Sequence, residues 1–476
     1  MRIARRGRGW RLAFGLALVG TGVARGQAPT LPEGAAPART APIVGVPDVA
    51  PLTEVPLFGS LELSAGDDEG PADGLPFDAA LDLLLRNNLD LLARRFEIPA
   101  ADADILTASL RANPIFYADS QLIPYGNFDP NKRPGGQTQY DVNVSYPVDY
   151  SRKRRARTIN AVQIKRAVEA QYQDAVRLQV ANLAGAYVNV LAARETARYA
   201  ATGLKGLDAV LEKTRPLFGR GNRTSVDIGR IEAQREAAAV GSLDADEALM
   251  RAKRALGGVL NLPPAEAEGL EVRASLRDDA PAIPPSDELV AMALRCRPDV
   301  VAFRLGVGVA NSALDLQRAN RYADAYVLLQ PYTFQNNSPV GLKSAYSYAI
   351  GVTVPLPLYN RNQGNIERAK VNIDQTKAQL AGIERQVVTE VRQAEREYLT
   401  TRDYLARLEA TTLPKSRKAV ADTRQLLVSG ELIDVTLLLN VQREANDITR
   451  QYRDTAVRHR RSMFALNTAV GQRILP

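Results

Sequence analysis

Cysteine and histidine occur once each in the 476 residues, as Cys296 and His459, and tryptophan occurs once. One cysteine excludes a disulfide framework, and one Cys plus one His cannot supply the three or four ligands of a protein-built zinc site. A self-contained thiol or imidazole catalytic triad is not expected either. The apolar run at residues 12–24 has 13 residues, and a bilayer-spanning helix takes about 20. Acid is missing from the first 26 residues, which carry six arginines: Arg2, Arg5, Arg6, Arg8, Arg11 and Arg25. A basic start, a short apolar run and a small-residue cut site after Gly26 predict a secretory signal peptide over 1–26.

That segment changes the meaning of the charge. The chain has 61 Lys and Arg against 53 Asp and Glu, a net +8 that would invite a nucleic-acid reading. Removing six of those charges leaves a mature chain near +2, and nucleic acid is not expected as a partner. Residues 27–75 are Pro-rich, with the acidic patch Asp67, Asp68 and Glu69, and bury too little apolar surface to order by themselves. A second Pro-rich break spans 263–285. Between and after these breaks lie two blocks, 76–262 and 286–476, that share short matches at offsets of 208 to 211. Leu85-Arg86 with Asp90 recurs as Leu294-Arg295 with Asp299, Tyr187 as Tyr398, Gly221 as Gly430, and Gln234-Arg235-Glu236 as Gln442-Arg443-Glu444. Chance matches would scatter, so the chain is read as a duplicated subdomain.

Each copy runs in the same order: a short helical pattern (77–113; 286–320), two strand-like runs, then two very long helical stretches joined at a Gly-containing turn. No proline interrupts 151–215 or 217–262, and good helix formers dominate both. About 60 residues at 1.5 Å each make a helix of roughly 90 Å. Helices of that length must pack side by side in a coiled-coil-like layer. Pro414 predicts a kink in the second copy.

The strands at 140–146 and 346–354 alternate strictly, with Tyr140, Tyr146, Tyr346 and Tyr348 on one face. The other face carries Asp141, Asn143, Ser145, Ser347, Ala349, Gly351 and Thr353. Residues 115–123 and 325–334 are weaker candidates. Such alternation fits a transmembrane strand between lipid and a watery lumen, and equally a half-buried soluble sheet. Export, and the lack of any soluble core for four strands on four long helices to cover, favour the membrane. Four strands cannot close a barrel alone, so several chains must share one.

The chain resembles the TolC-like outer-membrane efflux proteins. The resemblance rests on Tyr146-Pro-Val-Asp-Tyr150 with Arg152-Lys-Arg154, on Val352-Thr-Val-Pro-Leu-Pro-Leu-Tyr-Asn-Arg-Asn-Gln-Gly-Asn365, and on the turns around Gly221 and Gly430, in duplicated order over about 77–471. It implies a mainly α fold with a transmembrane β-barrel portion: a homotrimer with a 12-stranded barrel continued by an α-helical tunnel. The implied activity is a passive exit channel, fed by an inner-membrane pump of RND or similar type through a periplasmic adaptor (membrane fusion) protein. On this resemblance Gly221, Thr224, Ser225, Gly430, Ile433 and Asp434 would form the adaptor-docking tips. Asp141, Asn143, Ser145, Ser347 and Thr353 would line the barrel lumen, and Tyr140, Tyr146, Tyr346 and Tyr348 the girdles against outer-membrane lipid. The Pro-Leu-Pro-Leu-Tyr-Asn stretch is more similar to the branch serving heavy-metal exporters than to the multidrug branch. Thr436, Leu437 and Asn440 stand where acidic residues of a constriction would be expected.

No catalytic, cofactor or metal site is expected. Gly306-Val-Gly308 lacks the third glycine of a dinucleotide loop and reads as helix packing. The cluster Arg152 to Arg157 sits where a helix dipole disfavours cations; phosphate or lipid headgroups would stabilise it, and a solvated helix face is the alternative reading. The rival reading is a periplasm-spanning coiled-coil scaffold without transport; it has no use for a Tyr-flanked alternating band.

Overall fold

The computed structural model describes residues 69–123, 137–219, 225–276, 281–338, 341–429 and 435–475. The expected signal peptide, most of the Pro-rich segment and both helical tips lie outside them. The first copy comprises α1 (Phe77–Asn87), α2 (Leu89–Arg95), α3 (Glu97–Ser109), β1 (Ile115–Ile123), β2 (Gln137–Val148), α4 (Lys153–Gly219) and α5 (Ser225–Leu260). A short α6 (Pro264–Glu268) follows. The second copy has α7 (Ser286–Cys296), α8 (Pro298–Ala319), β3 (Ala325–Asn336), β4 (Ala345–Thr353), α9 (Gln363–Arg407), α10 (Leu413–Ser429) and α11 (Val435–Val470).

Three differences from the sequence reading have local causes. The pattern at 77–113 is broken into three helices. Asn88 is extended (ψ 116°) and its side chain accepts the Leu91 N–H at 3.0 Å, which starts a new helix. In the second copy the break falls at Arg297, just before Pro298, because the residue preceding a proline is pushed out of the helical region. Helix α4 runs on through Pro216 to Gly219 instead of stopping at Arg215. At Pro414 the chain forms a π-helical turn, Leu408–Thr412, directly before α10, so the missing N–H is absorbed by an extra residue per turn.

Helix α4 has 67 residues, about 100 Å long. It packs against α3, α5 and α8; α8 packs on α9, and α9 on α11. Alanines such as Ala161, Ala167, Ala170 and Ala184 are buried along α4 and allow close approach. Two cores sit part-way along the helices, the first shared between the two blocks, with Leu405, Tyr452 and Val457 joining it, and the second within the second block. The first gathers Leu183, Tyr187, Val188 and Leu191 with Leu84, Leu91, Leu256 and Leu260. The second gathers Leu289, Val300, Val391, Tyr398, Met463 and Leu466. The duplicated tyrosines do the same work: Tyr187 donates to the Leu75 and Arg273 carbonyls at 2.8 and 2.9 Å, and Tyr398 to the Pro281 carbonyl at 2.6 Å.

Those carbonyls belong to segments that strap the helices together. Leu75 bridges Val272 in parallel, and Arg194 donates to the Ala274 carbonyl at 2.9 Å and to that of Val272. Gly70, at φ +86°, passes over the Arg194 guanidinium, where a Cβ would collide with Nη1.

A buried ion network joins the two copies. Arg297, 2% exposed, holds Asp299 and Glu390 at 2.6 Å each and donates to the Ala469 carbonyl at 3.1 Å. Arg177 of α4 lies 3.7 Å from Asp299, 2.7 Å from Asp174 and 3.1 Å from the Thr468 carbonyl. Burial pushes the Asp299 carboxyl up, but the Arg297 bonds outweigh it and hold the group below its ordinary range. Asp174, at the network's edge, is pushed up by burial in spite of Arg177.

Replacing Arg297 by Met strands the Asp299 and Glu390 charges and is expected to cost about 3–5 kcal/mol at neutral pH, read as a lower thermal unfolding midpoint. Because the folded-state value of Asp299 is depressed, its contribution is present above the unfolded value of 3.8 and fades as pH falls through the folded one. The gap between Arg297→Met and the parent chain is therefore expected to narrow below about pH 4.

Candidate functional site: a two-faced sheet on four helices

The four strands form one antiparallel sheet in the order β1-β2-β3-β4. Directly opposed residues point to the same face, so the register sorts the side chains. Asp119 opposes Asp141, Asn143 opposes Tyr117, Thr333 opposes both Asp141 and Ser347, and Leu328 opposes both Ser145 and Gly351. Thr353 opposes Tyr326 on that same face. The expected lumen residues Asp141, Asn143, Ser145, Ser347 and Thr353 thus share one face. The expected girdle residues share the other: Tyr140 opposes Phe334, which opposes Tyr346, and Tyr146 opposes Val327, which opposes Val352. Tyr348 falls on this face by alternation along β4.

The second face is apolar and exposed. Tyr346, Tyr348 and Ile350 are each more than 70% open, with Val352 close behind. At the end of the sheet far from the helices the rings form a cluster: Tyr140–Phe334 at 6.3 Å, Phe334–Tyr346 at 5.0 Å and Tyr332–Tyr346 at 5.8 Å. The polar face is hydrogen-bonded within itself. Asp141 accepts from Gln139 at 2.7 Å and from Gln330 at 3.1 Å; Asp119 accepts from Gln121 at 2.8 Å and Tyr117 at 3.0 Å. Two like charges opposed across a strand pair repel, and these amide and hydroxyl donors offset the repulsion.

Sequence reading missed Asp119, Gln121, Gln139 and Gln330 because β1 alternates weakly and because a bulge lies in β3. The register slips between Gln330 and Thr333, at Pro331, which has no N–H for the ladder. The slip re-aims Gln330 towards Asp141. Pro331 was the available signal.

The junctions to the helices are capped tightly. Both Asp149 oxygens accept the first free N–H groups of α4, from Lys153 and Arg154, at 2.8 Å each. Lys153 pairs with Asp324 at 2.8 Å, and Asn362, at φ 57°, donates to the Gln317 carbonyl at 2.8 Å. The sheet is thereby fixed to α4, α8 and α9. The expected tips at Gly221, Thr224, Gly430, Ile433 and Asp434 lie outside the described residues, and of Ser225 only its place at the start of α5 is described.

The remaining candidates are packing residues. Gly306 is buried in α8, and a Cβ at Gly308 would lie 3.6 Å from Gln163 Oε1 of α4. His459 is buried, with Nδ1 3.1 Å from Thr401 Oγ1 and its ring stacked on Tyr398 at 5.2 Å. Burial pushes its imidazole down, towards the neutral form. Cys296 is half-buried at the end of α7. Among the described residues no three His, Cys, Asp or Glu converge as metal ligands. Among them, too, no helix is long and apolar enough to cross a membrane.

Comparison with known proteins agrees with this geometry. Residues 80–262 match the family model described as outer membrane efflux protein. The cobalt-zinc-cadmium resistance protein CzcC of Cupriavidus metallidurans is 25% identical over 357 residues, 73% of this chain and 78% of that protein. The fold is that of the channel protein CusC (TM-score 0.67, 17% identity, 88% of this chain and 97% of that one). It is also that of the outer membrane protein VceC of Vibrio cholerae (TM-score 0.65, 17% identity, 83% and 96%). Residues 80–262 thus carry the outer membrane efflux protein pattern, and the fold of the chain is that of outer-membrane channel proteins.

Proposed function

We propose that three copies of this chain close a 12-stranded barrel in the outer membrane and continue it as a 12-helix tunnel, forming the passive exit duct of a tripartite efflux system. One observation carries this reading: a sheet with an apolar, exposed face, a polar face and two unpaired edges, β1 and β4. Lipid does not tolerate unpaired backbone N–H and C=O groups, so the β1 edge of one copy must meet the β4 edge of the next. Asp141, Asn143, Ser145, Ser347 and Thr353 then line a water-filled lumen. Tyr140, Tyr146, Tyr346 and Tyr348 then meet lipid and its headgroups.

In this reading 76–262 and 286–476 are the two copies of the repeat, joined by 263–285. The tips at Gly221, Thr224, Ser225, Gly430, Ile433 and Asp434 dock a periplasmic adaptor, which links the duct to an inner-membrane pump of RND or similar type. The cargo is heavy-metal cations or drugs. The similarity to CzcC, named for cobalt, zinc and cadmium resistance, supports the metal side. Selection would lie in the pump, since a duct acts by shape and by the charge of its wall.

Purified from outer membranes in detergent, the chain should have a trimer's mass and conduct in planar bilayers. A monomeric or non-conducting product contradicts the proposal. In a Cys296→Ser background, Ser145→Cys and Ser347→Cys should react with a membrane-impermeant maleimide, while Ile350→Cys and Val352→Cys are shielded. The reverse pattern would invert the faces. At the tips, Gly221→Trp with Gly430→Trp should reduce adaptor cross-linking severalfold and leave the trimer intact; unchanged cross-linking removes docking from these residues.

A further inference from the structure

At the foot of the sheet, where α4 leaves β2, a groove of about 470 Å³ runs between the start of α4 and the end of α8. Its charged wall is Arg152, Arg155 and Arg318, and its apolar wall includes Ile159 and Tyr322. Asp315 is the acid in the lining, and it pairs with Arg318 at 3.2 Å. Among the described residues Arg152 and Arg155 form no ion pair. Cations in the first turn of a helix oppose its dipole, and Asp149 is committed to the backbone N–H groups of that turn. The groove thus holds positive charge that its own chain leaves uncompensated.

The apolar wall identifies the ligand. Ile159 is 45% exposed, and the Tyr322 ring lies 6.1 Å from the open Tyr150 ring, tilted against it. Tyr150 follows Tyr146 and Val148 of the exposed sheet face, so the apolar band continues downward into the basic groove. Arg321 lies over the Tyr322 ring at 5.5 Å and adds a cation at the same height. An acyl chain on one wall and a phosphate on the other fit this order, apolar above and cationic below.

We propose that this groove binds an anionic phospholipid of the inner leaflet of the outer membrane, one per protomer, with its phosphate between Arg152, Arg155 and Arg318 and its chain along Ile159 and Tyr322. The proposal rests on the placement of the sheet in the membrane. The bound lipid offsets the arginine charge at the start of α4 and pins the height at which barrel passes into tunnel. Arg154 and Arg157 lie about half a turn away on α4 and take no part.

Native mass spectrometry of the full chain, from mixed micelles of phosphatidylglycerol and phosphatidylcholine, tests it. The parent trimer should retain phosphatidylglycerol in preference. Arg155→Gln with Arg318→Gln should lose that retention about tenfold or more, with trimer mass and bilayer conductance unchanged. Arg154→Gln should keep it, and so should Arg155→Lys with Arg318→Lys, which preserves the charge. Equal retention of the two lipids, unaltered retention in the glutamine pair, or complete displacement by millimolar inorganic phosphate would overturn the proposal. Conductance is read separately: a conducting trimer without lipid preference refutes the groove alone, whereas a non-conducting parent chain refutes the channel and the groove with it.

Discussion

A lipid-facing backbone must pair every N–H and C=O with another backbone group, because the bilayer core offers no water to do so. The four-stranded sheet satisfies this for β2 and β3 and leaves the outer edges of β1 and β4 open. That deficit makes the single chain an incomplete object in a membrane. It also explains why so much sequence is given to helices. Strands of 9 to 12 residues can cross a bilayer tilted, but they hold little core of their own. The orientation of each sheet must come from something rigid below it. Asp149 on the α4 N-terminus, Lys153 on Asp324 and Asn362 on the Gln317 carbonyl supply that attachment.

The helices meet a different constraint. The proposed tunnel has no central core, so in it each helix would bury only its flanks. Alanine along α4 answers this, since a small side chain lets a neighbour approach without a wide apolar stripe. Larger residues concentrate part-way along, where α1, α2 and α7 and the Leu75–Val272 strap add a second layer. The Arg297 network sits at that level, not in the membrane, and spans α4, α8, α9 and the end of α11. A buried ion group of this kind is poor stabilisation for its area but strict about geometry. It sets the register of the second copy against the first, and Gly471, at φ +82° and with room for no Cβ beside Arg297, is part of that fit.

What could be read in the sequence follows from range. Alternation is a property of neighbours, so the strand faces were legible: Asp141, Asn143, Ser145, Ser347 and Thr353 do share one side. Tyr187 and Tyr398, matched in the two blocks of the sequence, are each a buried phenol that ties a strap to its helix. Contacts between distant segments were not legible. Nothing local says that Asp119 will oppose Asp141, that Arg177 will reach Asp299, or that Leu75 will bridge Val272. The bulge at Pro331 and the helix breaks at Asn88 and Arg297 depend on single residues whose effect is decided by what lies across the sheet or along the bundle.

The chain separates charge according to the solvent that each part meets. The exposed sheet face is aromatic and branched, while the polar face holds Asp119 and Asp141 among amide donors, where water screens a repulsion that lipid would magnify. Below the apolar band the sign reverses, and Arg152, Arg155, Arg318 and Arg321 crowd the start of α4 and the end of α8. Neither arrangement stabilises an isolated chain, since like charges sit together in both. Each becomes favourable in the proposed setting, with water inside a closed barrel and a phosphate layer around its foot. The electrostatic pattern and the unpaired backbone therefore support the proposed assembly independently of each other.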